Sequence, residues 1–279
     1  MRPLLLLLLL VAVPVAADPD PYAGLGGTDE ATRPLDATIS PPAGFSRVPV
    51  AEGSLGSWLR SLPVYEDRTE VRAYDGSPLR SPAARVVAMD VGRRDLQQCA
   101  DSAIRLLSEY ARASGQQRDL AWDFTSGDRT GYRDWLAGER FVIGRTVERR
   151  RGEARSDSRQ TFRSWLDLVF TYAGTRSLAR EGEAVEGALL AGDVFVAGGS
   201  PGHAVMILDV ATNDDGRRVA LLGQGFMPAQ EFHVLRSRGG ITPVLDGVWF
   251  ELPGVGERID TPSWAPFERS DARRLMSWE

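Results

Sequence analysis

The chain has 279 residues, 43% of them hydrophobic, and its 33 basic residues against 38 acidic ones leave a net charge of −5. All the basic residues are arginine. This balanced, acidic charge argues against nucleic acid or an anionic membrane surface as the main partner, and the length allows one large core or two small ones.

Met1-Arg2-Pro3, the apolar run Leu4–Val13 and the small residues Ala16-Ala17 before Asp18 form a signal-peptide pattern. The apolar run is too short to span a bilayer, so the segment reads as an address and the mature chain has no integral membrane segment. The expectation is an exported protein, periplasmic or secreted, cleaved near Ala17, with Arg2 lost and a mature charge of −6. Residues 18–44 are rich in Pro, Gly, Asp and Thr without periodicity and read as a flexible leader. Residues 45–252 read as one domain, and 253–279 as a C-terminal tail packed onto it through Trp264 and Trp278.

Within the domain, Leu55–Leu62 is a short helix closed by Pro63, and Arg85–Val91 is a strand. After Gly92 comes Asp95–Tyr110, expected as an amphipathic helix with Asp95 as cap and Gln98 completing a capping box. It carries the only cysteine, Cys99, in its first turn. A thiol there lies near unsatisfied N–H groups and the positive end of the helix dipole, which favour thiolate. Cys99 also falls on the apolar face with Leu96, Ala103, Leu106 and Tyr110, as an inert buried cysteine would. Residues 149–159 mix arginine with acids and read as an exposed loop. Phe162–Tyr172 and Thr175–Glu181 read as helices whose aromatic stripe packs the core.

From Gly192 the pattern turns to strands. Asp193–Val196, His203–Val210, Arg218–Gly223 and Glu231–Leu235 form a meandering antiparallel sheet with a turn at Asn213–Gly216. Gly198–Gly202 matches the serine-hydrolase G-x-S-x-G string, but Pro201 has no N–H to donate to an oxyanion and a strand follows where a helix should. Cys99, His203 and His233 show no metal-ligand spacing, and no metal or cofactor is expected. His233 reads as an ordinary surface or hydrogen-bonded histidine. A helix-borne cysteine and a strand-borne histidine are what a thiol hydrolase needs: Cys99 as nucleophile and His203 as general base. Asp209 lies roughly 20 Å along the same strand and is too distant to orient His203. If Asp214-Asp215 are the two turn residues, position 205 pairs with 224 and Gln224 lies diagonal to His203 on its face. Gln230 and Glu231 are next in line for that role. The Cys99 N–H with Gln98 is the candidate oxyanion donor.

The order of Cys99 opening a helix, Gly192-Asp193-Val194, Gly202-His203-Ala204-Val205 and a polar residue on the next strand resembles the papain-like fold. The similarity is closest to bacterial cell-wall cysteine hydrolases of the NlpC/P60 and CHAP types. That resemblance implies a papain-like α+β fold, a Cys-bearing helix followed by an antiparallel sheet, and cleavage of peptide or amide bonds in peptidoglycan. From about Phe45 to Trp264 the chain also resembles a bacterial family known as domain of unknown function 4846, through QQCAD (97–101), FTSGD (124–128), GDVFV (192–196), GGSPGHAV (198–205) and MPAQ (227–230). Two functions are open: an exported cysteine hydrolase acting on cell-wall peptide or amide bonds, and a cell-envelope module that binds such a ligand without cutting it.

Overall fold

The computed structural model describes residues 20–276; the expected signal peptide, the cleavage point near Ala17 and Trp278 lie outside the described residues. The fold is mostly antiparallel β-sheet, with 31% of residues in strands and 22% in helices. This corrects the papain-like α+β expectation. One ten-stranded sheet carries the architecture, because short stretches without clear periodicity also join it. Ser46–Arg47, Glu183–Ala184 and Ala272–Arg274 are such additions.

The main path runs Glu183–Ala184, Ala272–Arg274, Val194–Ala197, His203–Thr212, Arg218–Gln224, His233–Leu235, Ala83–Val86. Each neighbour is antiparallel to the next. Trp249–Glu251 also pairs with the outer half of the Arg218–Gln224 strand. The His203 strand is apolar at nearly every position because both its faces are covered. Ala204, Met206 and Leu208 pack with Ile104 and Leu107 of the helix Cys99–Ala113 and with Trp165 of the helix Arg159–Tyr172. Val205 and Ile207 pack on the other side with Phe195, Ile259 and Phe267. There the hairpin of Arg258–Thr261 and Trp264–Glu268 forms the roof.

The hairpin after the His203 strand departs from expectation twice, and the departures cancel. Its turn holds three residues, Asp214, Asp215 and Gly216, closed by the Asn213 N–H donating to the Arg217 carbonyl at 3.1 Å. Gly216 has φ +80°, a left-handed conformation that glycine adopts without a Cβ penalty. The extra residue shifts the outer half, so that Val210 faces Ala220 and Thr212 faces Arg218. A bulge between Ile207 and Asp209 absorbs the shift, and the inner half runs Met206 opposite Gly223 and Ile207 opposite Leu222. That is the register a two-residue turn would produce. The bulge also exchanges the faces: beyond it Ala211 joins the helix-side core and Val210 the roofed one. Asp209 sits at the bulge, buried, with Arg47 and Arg60 donating to its two oxygens at 2.7 and 2.9 Å.

The ends of the described chain are tied into this body. Of residues 20–44, read from composition as a leader, Leu25 and Leu35 are buried. Thr32–Pro34 pairs with Pro63–Tyr65, and the Ser40 carbonyl accepts from Trp249 Nε1 at 2.8 Å. In the expected tail, Ile259 and Phe267 are fully buried, and Ala272–Arg274 is a strand of the main sheet. Pro- and Gly-rich composition here marks irregular chain that packs closely.

Candidate functional site

The Cys99 helix begins three residues later than the Asp95 cap implied. Gln98 is its N-cap, and Asp101 Oδ2 accepts from the Gln98 N–H at 3.1 Å. The carboxylate three residues into the helix thus does the capping. Asp95 instead ties the approach: its Oδ1 accepts from Gln98 Nε2 at 3.0 Å and from the Ala229 N–H at 2.7 Å. Gly225 lets the chain after the Gln224 strand press on this first turn, since a Cβ there would run into Ser102 Oγ and the Gln98 carbonyl. Gly202 plays the same part opposite, where a Cβ would collide with Thr175 Oγ1 and the Ala197 carbonyl.

Between these elements lies a cavity of about 470 Å³. Cys99 and Asp101 from the helix, Gly199–Gly202 from the loop before His203, Thr175 and Arg176 from the helix Thr175–Glu181, and Thr125 are in its wall. No histidine lines it. Cys99 is 5% exposed, and its Sγ lies 3.9 Å from the Gly202 carbonyl. Burial pushes the thiol up to about 11, and the neighbouring Asp101 carboxyl adds to the rise; the N–H groups of Ala100, Ala204 and Cys99 itself oppose it without prevailing. Burial also holds the Asp101 carboxyl well above the usual carboxylate range, and its Oδ1 is buried without a hydrogen-bond partner. The thiol is therefore protonated at neutral pH. The helix dipole is present, but desolvation outweighs it.

His203 lies in the adjoining strand with its ring on the other side of the sheet. It alternates with Ala204 and shares the face of Val205, where its ring meets Phe226, Trp264 and Phe267 at centroid distances of 4.9, 5.1 and 6.1 Å. Its Nε2–H donates to Gln224 Oε1 at 2.8 Å, which leaves the lone pair on Nδ1, buried and without a hydrogen-bond partner. Burial pushes His203 down to about 4, and the Gln224 bond offsets only part of that. Gln224 pairs directly with His233 on the next strand. His233 is fully buried; its Nδ1 lies 3.0 Å from the Glu231 carbonyl, and its Nε2 is unpartnered. Burial pushes it down to about 4 as well, with the charge of His203 contributing. His203, Gln224 and His233 thus form a polar row across three strands, under the aromatic roof.

The structure therefore brings His203 and Gln224 together and leaves Cys99 in contact with the backbone of the same strand. Gln98 lines the cavity with its side-chain amide engaged by Asp95. Gln230 donates to Ser81 Oγ at 3.0 Å, and Glu231 takes both Nη atoms of Arg68 at 2.6 and 2.9 Å. Among the described residues no group of three or more His, Cys, Asp or Glu side chains is placed to hold a metal ion. Sequence reasoning missed Asp101 and Arg176. Asp101 had a signal, an acid at the third position of the observed helix. Arg176 had none, being one arginine among many.

No curated protein matches the chain, and no solved structure does, so no papain-like neighbour supports the expected fold. A family model does match, over residues 35–274, which takes in the cavity, the polar row and nearly all of the described sheet. By that match the chain belongs to the family described as Domain of unknown function (4846).

Proposed function

We propose that this chain is an exported cell-envelope protein whose Cys99 cavity binds a peptide or amide-bearing ligand, peptidoglycan peptides being the class, without cutting it. One observation carries the reading: the cavity wall contains a buried thiol, which burial pushes up to about 11, and no histidine. A neutral thiol with no base in reach is a poor nucleophile. The Thr125 hydroxyl and the peptide groups of Ser200–Gly202 supply neutral hydrogen-bonding capacity suited to amides, while the Thr175 hydroxyl is held by Gly199. Export rests on the Met1–Ala17 pattern.

The test is incubation of the purified mature protein with peptidoglycan fragments, beside a Cys99→Ala variant, with products read by mass spectrometry. Retained, intact fragments with both proteins are the expected result. A product that appears only with the native thiol overturns it. Fractionated cells should hold the protein outside the cytoplasm, starting near Asp18.

A second reading, the exported cysteine hydrolase, is favoured by the place of Cys99 in the first turn of a 15-residue helix, facing a cavity. It would need His203 to leave its bond to Gln224 and cross to the thiol side, or another base to take its part. Rapid labelling of native Cys99 by iodoacetamide at neutral pH would favour this reading.

A further inference from the structure

We infer that the Cys99 cavity is one end of a longer groove that takes an extended peptide bearing carboxylates, with Arg176 and Arg145 receiving them. The inference rests on the binding reading above and adds a second subsite and a charge class to it.

A second cavity of about 620 Å³ adjoins the first. Thr125, Thr171 and Ala173 line both, so the two share a wall. Its far side is the tip of an exposed hairpin, in which Glu139–Ile143 pairs with Val147–Arg151, and Arg145 stands at that tip. Phe124 and Tyr172 line it, as Leu96, Phe170 and Met227 line the Cys99 end. A compact ligand would fill one cavity; occupying both requires an extended one.

The charges along the two cavities differ in what already satisfies them. Nearby arginines are engaged: Arg129 with Asp123 and Glu181, Arg149 with Glu139, and Arg180 with the Phe124 carbonyl. Arg145 and Arg176 have no hydrogen-bond, ion-pair or ring partner among the described residues. The acids of the wall already accept hydrogen bonds, Asp101 from the Gln98 N–H among them. Asp95 accepts from two donors, Asp128 accepts from Ser126 Oγ at 2.8 Å, and burial favours the protonated form of Asp101. The groups left without a partner are a guanidinium in each cavity, and guanidinium groups pair with carboxylates in bidentate fashion.

The experiment is fluorescence anisotropy on the mature chain with a labelled acidic pentapeptide, Ala-Glu-Gly-Glu-Ala, and its carboxamide counterpart, Ala-Gln-Gly-Gln-Ala amide. The acidic probe should bind about 10-fold more tightly, and Arg145→Ala and Arg176→Ala should each cut that preference about 3- to 10-fold, as expected for exposed charge-assisted contacts. Ala173→Trp, which fills the shared wall, should weaken the pentapeptide and spare an acidic dipeptide. Equal binding of both pentapeptides, unchanged by the arginine variants, overturns the charge class while the binding reading stands. An effect of Arg176→Ala without one of Arg145→Ala overturns the continuous groove. Failure of every peptide to bind removes the binding reading and this inference together.

Discussion

On the side of the sheet covered by the Cys99 helix, the His203 strand offers Ala204, Met206 and Leu208 to an apolar core, and a cavity opens where the helix begins. On the other side the same strand and its two neighbours carry His203, Gln224 and His233, a polar row sealed under Trp264 and Phe267. The cysteine touches the backbone at Gly202, the loop residue just before His203, and the imidazole lies on the other face against Phe226 and Trp264. Neighbours along a strand are separated by the thickness of the sheet. Proximity of a thiol to a histidine's strand is therefore not proximity to its ring. The two faces also differ energetically: the row holds neutral, incompletely bonded groups in a desolvated place, and the cavity holds a thiol that the same desolvation keeps protonated.

Acid should break the row first. Each histidine ordinarily titrates near 6.5 and is pushed down to about 4 in the fold. Between those values the unfolded chain binds more protons, so stability is full above pH 6.5 and is lost as pH falls from 6.5 through 4. The loss is on the order of 3 kcal/mol for each histidine. Glu109, whose carboxyl burial pushes up to about 7, works in the opposite direction. The check is therefore the difference in urea-unfolding free energy between native protein and His203→Leu across that window, which should shrink toward acid. A pH-independent difference would place the imidazole in contact with water.

Asp209→Ala comes next, at about 3–5 kcal/mol, because it leaves Arg47 and Arg60 directed at a buried void. The midpoint of denaturant unfolding should fall accordingly, and Asp209→Asn should recover part of the loss. Gln224→Ala should cost about 1–3 kcal/mol by orphaning the buried Nε2–H of His203. A Gln224 side chain lining an open, solvated cleft would cost little, so this variant discriminates sharply between a cleft and a buried placement. Cys99→Ala should have the smallest effect, about 1 kcal/mol or less. The native thiol should alkylate roughly 100-fold more slowly than an ordinary cysteine at pH 8, with a rate still rising toward pH 11. A labelling rate that levels off below pH 8 would mean an activated thiolate and would return the cavity to thiol chemistry.

Much of the element order was legible in the sequence, because apolar alternation and glycine punctuation are local. His203–Thr212, Arg218–Gln224 and the helix at Arg159 stand within a few residues of where periodicity set them. The helix cap was misplaced since Asp95 and Asp101 both have capping chemistry, and only tertiary contact with Ala229 decides between them. The pairing of His203 with Gln224 followed from counting, although the count was off by one at the turn and again at the bulge. What could not be read was which face meets the Cys99 helix. Both faces of the His203 strand are apolar from Ala204 to Leu208, so parity carries no sign of inside or outside. The arginines with no partner were equally invisible, since whether an arginine is paired depends on residues far away in the chain.

The bulge between Ile207 and Asp209 has a consequence for how this chain tolerates change. It divides the hairpin into two independently indexed segments, with the tip from Val210 to Ala220 on one side and the polar row on the other. A residue added or removed at Asp214–Gly216 re-indexes only the tip if the bulge grows or vanishes in compensation. The tip is therefore the place where an epitope or a length variant can be inserted with the His203–Gln224 bond left in register, and where natural length variation would accumulate without disturbing the interior.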